Sequence, residues 1–375
     1  MSGNDDTRDD NDRVRDGETL DSGEGELAAG GPPPPPPNPF TDHATQAKLA
    51  WFDSKPPRRR WLLEREGEGG DAGSFVGFLP LGKVGMLAAA GGVGKTMALV
   101  QLALSVATGR PWLGDFTVPA SSVGHVLLAL GEEDAEEAHR RLYNAFRAMW
   151  PSDDERHASE RSAAMQLAAE RITVVPLSGV PCSLVTTSST TRTTEESTAL
   201  AGLRELLENA GHDWSLVVLD PLSRFAGVET ETDNAAATRF VQAVETLVTV
   251  RGNPTVLLAH HTTKGSRGEE GENASDTTDA RGASAITDGV RWVARLSPVK
   301  RSENDPVPGR ATLSLTKSNY GPPDRRRTVK RADGGALVPL AATEVDTLKE
   351  HAKGTAEAPK TSTNKGKKPG EGIVP

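Results

Sequence analysis

The segment that most limits what this chain can fold into is LAAAGGVGKTMALVQLAL, residues 87–104. An apolar run ends in glycines, one lysine and one threonine, and an apolar pattern of helical period follows directly. Glycines let the backbone turn so that successive N–H groups point at one place, and the next helix adds its positive end. Together these suit a polyphosphate. The loop reads Ala89-Ala90-Gly91-Gly92-Val93-Gly94-Lys95-Thr96, with alanine where such loops usually begin with glycine. Gly91, Gly92, Val93, Gly94, Lys95, Thr96 and Met97 are therefore the candidate nucleotide-binding residues. Lys95 is expected to bridge the β- and γ-phosphates and Thr96 to ligate Mg²⁺. A chance lysine in a glycine-rich turn is the bland alternative, and the strand before and helix after argue against it.

From residue 83 onward, short apolar runs alternate with amphipathic segments, the pattern of βα units. The runs are residues 84–90, 125–131, 172–177, 215–220 and 255–261, and the helical patterns 96–108, 135–149, 197–210 and 235–251. Two further strands are expected at 290–296 and 311–317. The fold class is α/β, with a mostly parallel central sheet flanked by helices. In such sheets ligands bind beyond the carboxyl ends of the strands, so the residues after each run matter most.

The run at 215–220 ends in Asp220, where a partner for Mg²⁺ belongs. The run at 125–131 is followed by Glu132, Glu133 and Asp134, one of which can act as general base toward water. Capping of the next helix accounts for some of these acids as well. The run at 255–261 ends in His260 and His261, followed by Thr262, Thr263 and Lys264. A histidine there can contact a γ-phosphate; a zinc pair is the rival, weakened because neighbours on a strand point to opposite faces. Arg281 and Arg291 follow a polar stretch, 265–279, and either can serve as an arginine finger.

Composition bounds the rest. Residues 1–45 form an acidic arm with Pro32 to Pro37, and 346–375 a Lys-, Gly-, Pro- and Thr-rich tail; both compositions predict disorder, leaving 46–345 as the folded domain. Residues 186–198 are rich in Thr and Ser and read as a flexible surface insertion. The net charge of −9 comes from 43 basic and 52 acidic residues, much of the acidity lying in the arm and in 269–279. Nucleic acid is therefore not excluded, and residues 55–60 and 324–331 are basic clusters able to touch phosphate, although a solvated charge run explains each as simply. Cys182 is the one cysteine, so no intramolecular disulfide and no cysteine-based zinc site is expected. No run reaches 18 apolar residues and the N-terminus has no apolar signal core, which predicts a cytoplasmic protein without membrane partners.

At this level the chain resembles RecA-fold phosphate-loop ATPases of the RepA type, the hexameric replicative helicases of broad-host-range plasmids. The resemblance rests on GGVGKT, GEED with its following HRRL, VVLDPLSRF, HHTTKG, RGASAITDGVRW, and KSNYG with a later DGG, in family order across residues 83–339. It implies ATP and Mg²⁺ as cofactors, Glu133 as the residue that activates water, Asp220 and Thr96 at the metal, and His261 as γ-phosphate sensor. It also implies that Arg141 and Arg291 reach across a subunit boundary, with residues 317–320 near it.

The partners implied are single-stranded DNA and a ring of identical subunits, with a replication initiator or primase beside them. Loops at 224–233 and 265–279 would face the DNA. Lys264 and Arg267 are candidate phosphate contacts, and Phe225 is the one aromatic placed to stack on a base. Two other functions share these features: a nucleotide-dependent regulatory ATPase that never translocates, and a RecA-like recombination ATPase that forms open filaments.

Overall fold

The computed structural model describes residues 38–67, 75–151, 157–188, 190–262, 281–302, 305–321, 326–340 and 344. The expected arm over 1–37 and tail over 346–375 lie outside the described residues, as do the stretch 265–279, Lys264 and Arg267. Two compact units are present, Met1–Pro57 and Arg58–Pro375. In the first, Asn38 opens α1 (Pro39–His43) by accepting the Phe40 N–H on its side chain, and α2 (Ala50–Asp53) follows.

The second unit begins with an antiparallel hairpin, β1 (Trp61–Glu66) and β2 (Phe75–Pro80). β3 (Val84–Ala89) passes through the glycine loop into α3 (Lys95–Thr108), and β4 (His125–Leu130) into α4 (Ala135–Met149) and α5 (Ala158–Arg171). Next come β5 (Ile172–Pro176), a small hairpin of β6 (Val185–Thr187) and β7 (Thr194–Glu196), and α6 (Thr198–Glu208). β8 (Trp214–Asp220), α7 (Leu222–Ala226), α8 (Asn234–Thr246) and β9 (Thr255–His261) follow. The remainder holds α9 (Arg281–Gly289), β10 (Trp292–Ser302), β11 (Asp305–Ser318), β12 (Arg326–Arg331) and β13 (Leu337–Pro339).

Nine strands form one sheet in the order β13-β12-β11-β10-β3-β9-β8-β4-β5. The six from β10 to β5 are parallel, and β11, β12 and β13 extend the sheet as an antiparallel ribbon. The α/β class read from the sequence is the class observed. Both faces are covered, which is why the central strands are continuous apolar runs rather than alternating ones. Along β8, Leu216 and Val218 enter one core with α3, α4 and α5, while Val217 and Leu219 enter the other with α6, α8 and α9. α3 is buried nearly all round, and its inward Gln101 is satisfied on both sides by Leu337: Nε2 donates to the carbonyl and Oε1 accepts the N–H, each at 2.8 Å. The ribbon is thereby fixed to the helix that follows the glycine loop. No helix among the described residues is long and apolar enough to cross a membrane.

Three differences from the sequence-based expectations have physical causes. Residues 186–198 are not simply a flexible insertion: β6 and β7 pair there, with Val185 buried against the core. β10 starts at Trp292, because Val290 still donates back to the Ile286 carbonyl at 3.1 Å in helical fashion. Phe225 belongs to the core beneath α7, only 2% exposed, and so cannot stack on a base.

Candidate active site

Because β3, β9, β8 and β4 are parallel and adjacent, the loops leaving their carboxyl ends converge on one edge of the sheet. β3 lies between β10 and β9 with all six residues buried, so the glycine loop leaves a rigid base. Gly92 at φ 77° and Gly94 at φ 114° adopt left-handed conformations that side chains resist. Gly94 is doubly constrained, since an added Cβ would lie 3.3 Å from Leu337 Cδ2. Gly94 also stands at the N-cap of α3, where no side chain caps the helix. The first-turn N–H groups are thus left for an anion. Thr96 lies half-buried at that turn and Met97 is buried in the core.

Lys95 and Asp220, 125 positions apart, meet at the base of the loop: Nζ donates to Oδ1 at 2.7 Å, and the side chains are 3% and 4% exposed. Burying two charges costs more than their attraction returns unless the remaining valences are filled. Here Asp220 Oδ2 is buried and has no hydrogen-bond partner. An orphaned carboxylate oxygen beside an uncapped helix start is suited to a cation, directly or through its water shell. Thr96 and Asp220 therefore fit the donor set expected for Mg²⁺.

The three acids after β4 have three different partners. Asp134 caps α4, accepting the Glu137 N–H at 2.8 Å. Glu132 lies 3.7 Å from Arg224 in an exposed pair. Glu133 Oε1 lies 2.6 Å from Arg141 Nη2, and Glu137 Oε1 lies 3.3 Å from the same nitrogen. Arg141 is thus engaged by carboxylates of its own chain.

His260 and His261 pair in parallel register with Ala88 and Ala89, beside the start of the loop. Burial, then Lys95, then His261 and Arg295 push the His260 imidazole down to about 4, so it is neutral at pH 7. Burial and Lys95 lower His261 as well, against the opposing pull of Asp220 and Glu132. His261 is the more exposed of the two, at the strand tip.

Arg291 stands elsewhere. Trp292 is in register with Gly85, and the Arg291 N–H donates to the Val84 carbonyl at 2.9 Å, so this arginine marks the amino-end edge of the sheet. Five residues of strand separate it from the loop, about 17 Å at roughly 3.3 Å per residue. It cannot reach the loop of its own chain. Lys317 is not free either: Nζ donates to the Thr287 and Asp288 carbonyls, both at 2.8 Å, closing the end of α9. Tyr320 lies under the Arg59 guanidinium, 3.9 Å from the ring centre.

One residue at the site was not singled out from the sequence. Arg331, at the end of β12, donates through Nη2 to the Gly92 carbonyl and lies 3.5 Å from where a Gly94 Cβ would be. The basic cluster it belongs to is largely spent inside the chain, with Lys330 on Glu344 at 3.0 Å and Arg327 facing Asp115 at 3.9 Å. Its one sequence signal was a basic residue just before the DGG turn.

Comparison with known proteins supplies a family for this geometry. The AAA domain family matches residues 36–267, more than half of the chain. Among solved structures, one described as the ATPase domain of a larger protein superposes with a TM-score of 0.46 at 12% identity, over 69% of this chain and 85% of that one. The chain belongs to the AAA domain family and carries its type of ATPase domain.

Proposed function

From that family membership, we propose that the chain is a RepA-type ATPase that assembles into a ring, hexameric by that resemblance. It would couple ATP hydrolysis to movement along single-stranded DNA in replication, in the cytoplasm, with an initiator or primase as partner. The observation that carries the ATPase is the buried Lys95–Asp220 pair at the foot of the glycine loop, with Asp220 Oδ2 left unpartnered. Gly91 to Thr96 and the uncapped start of α3 would hold the phosphates, with Lys95 turning to them. Thr96 and Asp220 would hold Mg²⁺, which supplies neutralising charge during phosphoryl transfer. Glu133 would take the proton of the attacking water, and His261 would hydrogen-bond the γ-phosphate. The ring is supported by Arg291: about 17 Å from its own loop, it can act as a finger only on a neighbour.

A second reading, a regulatory or RecA-like recombination ATPase that binds DNA without unwinding it, is favoured by the burial of Phe225. Without that ring, the described loop offers DNA no aromatic platform. The two readings separate in steady-state ATP hydrolysis measured with and without single-stranded DNA, on protein sized by light scattering. Strong stimulation in a closed oligomer of about six chains supports the motor. DNA-indifferent turnover in a monomer or dimer contradicts it.

A further inference from the structure

A general base must offer a free carboxylate lone pair to water. Glu133 does not: its Oε1 is taken by Arg141 Nη2 at 2.6 Å, the shortest of the ion pairs around α4. Arg141 has a second acid in reach, Glu137 at 3.3 Å, but Arg140 also holds Glu137, at 3.0 Å. With Glu137 shared between two guanidinium groups, Glu133 is the firmer partner of Arg141. The grip is incomplete. Arg141 Nε is buried and has no hydrogen-bond partner, so a guanidinium committed to Glu133 leaves one donor desolvated and unused. An acceptor able to engage the guanidinium more fully would draw it off the carboxylate. A phosphate oxyanion has that chemistry, since arginine binds it through paired donors.

We propose that Arg141 is a latch on the base: a positioning residue that, within its own chain, holds Glu133 away from water until a phosphate anion displaces it. This differs from a finger reaching into a neighbour's site, and it rests on Glu133 being the base. Two sources of phosphate are available on that reading, bound nucleotide and the backbone of nucleic acid.

The test is steady-state ATP turnover by the full chain, with and without single-stranded DNA, for Arg141→Gln, Arg141→Lys, Glu137→Gln, Glu133→Gln and the Arg141→Gln/Glu133→Gln double variant. Binding of a fluorescent ADP analogue confirms a folded site in each. Arg141→Gln is expected to raise DNA-free kcat about tenfold, the ratio that one charge-assisted hydrogen bond sustains, with KM little changed. Arg141→Lys, which keeps the charge, should stay near the native rate. Glu137→Gln touches neither member of the pair but removes the competitor for Arg141, so its kcat should fall. The double variant should be as slow as Glu133→Gln alone.

A lowered or unchanged kcat in Arg141→Gln overturns the latch, as does a rise in Glu137→Gln or an equal rise in Arg141→Lys. Native turnover in Glu133→Gln is a different result, which removes the base assignment itself. If the latch holds, a reduced DNA stimulation ratio in Arg141→Gln identifies the backbone as the releasing anion, and an unchanged ratio identifies the nucleotide.

Discussion

Replacing Asp220 with Leu should cost far more stability than an ordinary surface or polar change, and replacing Lys95 as well should restore most of it. The two side chains are 3% and 4% exposed and 2.7 Å apart, so each is the main compensation for the other's buried charge. Removing one partner of such a pair costs about 3–5 kcal/mol, because the survivor remains charged away from water. Replacing both by apolar residues of similar size is about neutral. The singles Asp220→Leu and Lys95→Met should each lose about 3–5 kcal/mol, and the double variant should lie within about 1 kcal/mol of the native chain. The coupling energy is then several kcal/mol, well beyond the roughly 0.5 kcal/mol expected for independent sites. Urea unfolding of the four proteins, followed by circular dichroism at pH 7, measures it. Single losses below about 1 kcal/mol, or additive losses in the double variant, would refute the pairing and with it the claim that this buried pair is retained for function rather than stability.

His260 should make stability depend on pH. Its folded pKa is depressed from 6.5 to about 4, so the unfolded chain binds the proton more readily; the contribution is complete above about pH 6.5 and is lost as pH falls toward 4. The loss is at most about 3 kcal/mol, and a His260→Gln variant lacking that pH slope would confirm the source, whereas an identical slope would not. Arg331→Ala removes the charged donor holding the Gly92 carbonyl and should weaken nucleotide binding about tenfold, read by titration with fluorescent ADP; native affinity would leave Arg331 without a role at the loop. Arg291→Ala and Lys95→Ala should each be inactive alone, the former by about 10³-fold, yet regain turnover when mixed, because complementary halves then meet at subunit boundaries. Absence of any rescue argues that Arg291 holds structure.

What the sequence revealed tracks how local each cause is. Strands β3, β4, β8 and β9 stood out because burial on both faces makes them unbroken apolar runs, and Asp220 was legible as the acid ending one of them. α5 was missed because its one buried residue is Ala164, which gives too weak a period against surrounding charges. The β1–β2 hairpin is half-buried and short, without the long apolar run that marks a central strand. In residues 186–198 the threonines were read as low complexity, although their β-branching favours strand. Phe225 carried a usable signal, the three-residue spacing to Leu222 on one face of α7, and both prove buried. Arg331 carried none of comparable strength, since its partner is 239 positions away and only the ribbon brings them together.

The central claim is that the carboxyl edge of this sheet cleaves ATP with Glu133 as base. Single-turnover cleavage of ATP by Glu133→Gln, beside the native chain and at saturating Mg²⁺, tests it most directly. The account predicts retained nucleotide binding with cleavage slowed about 10²- to 10⁴-fold. Cleavage at the native rate would contradict it.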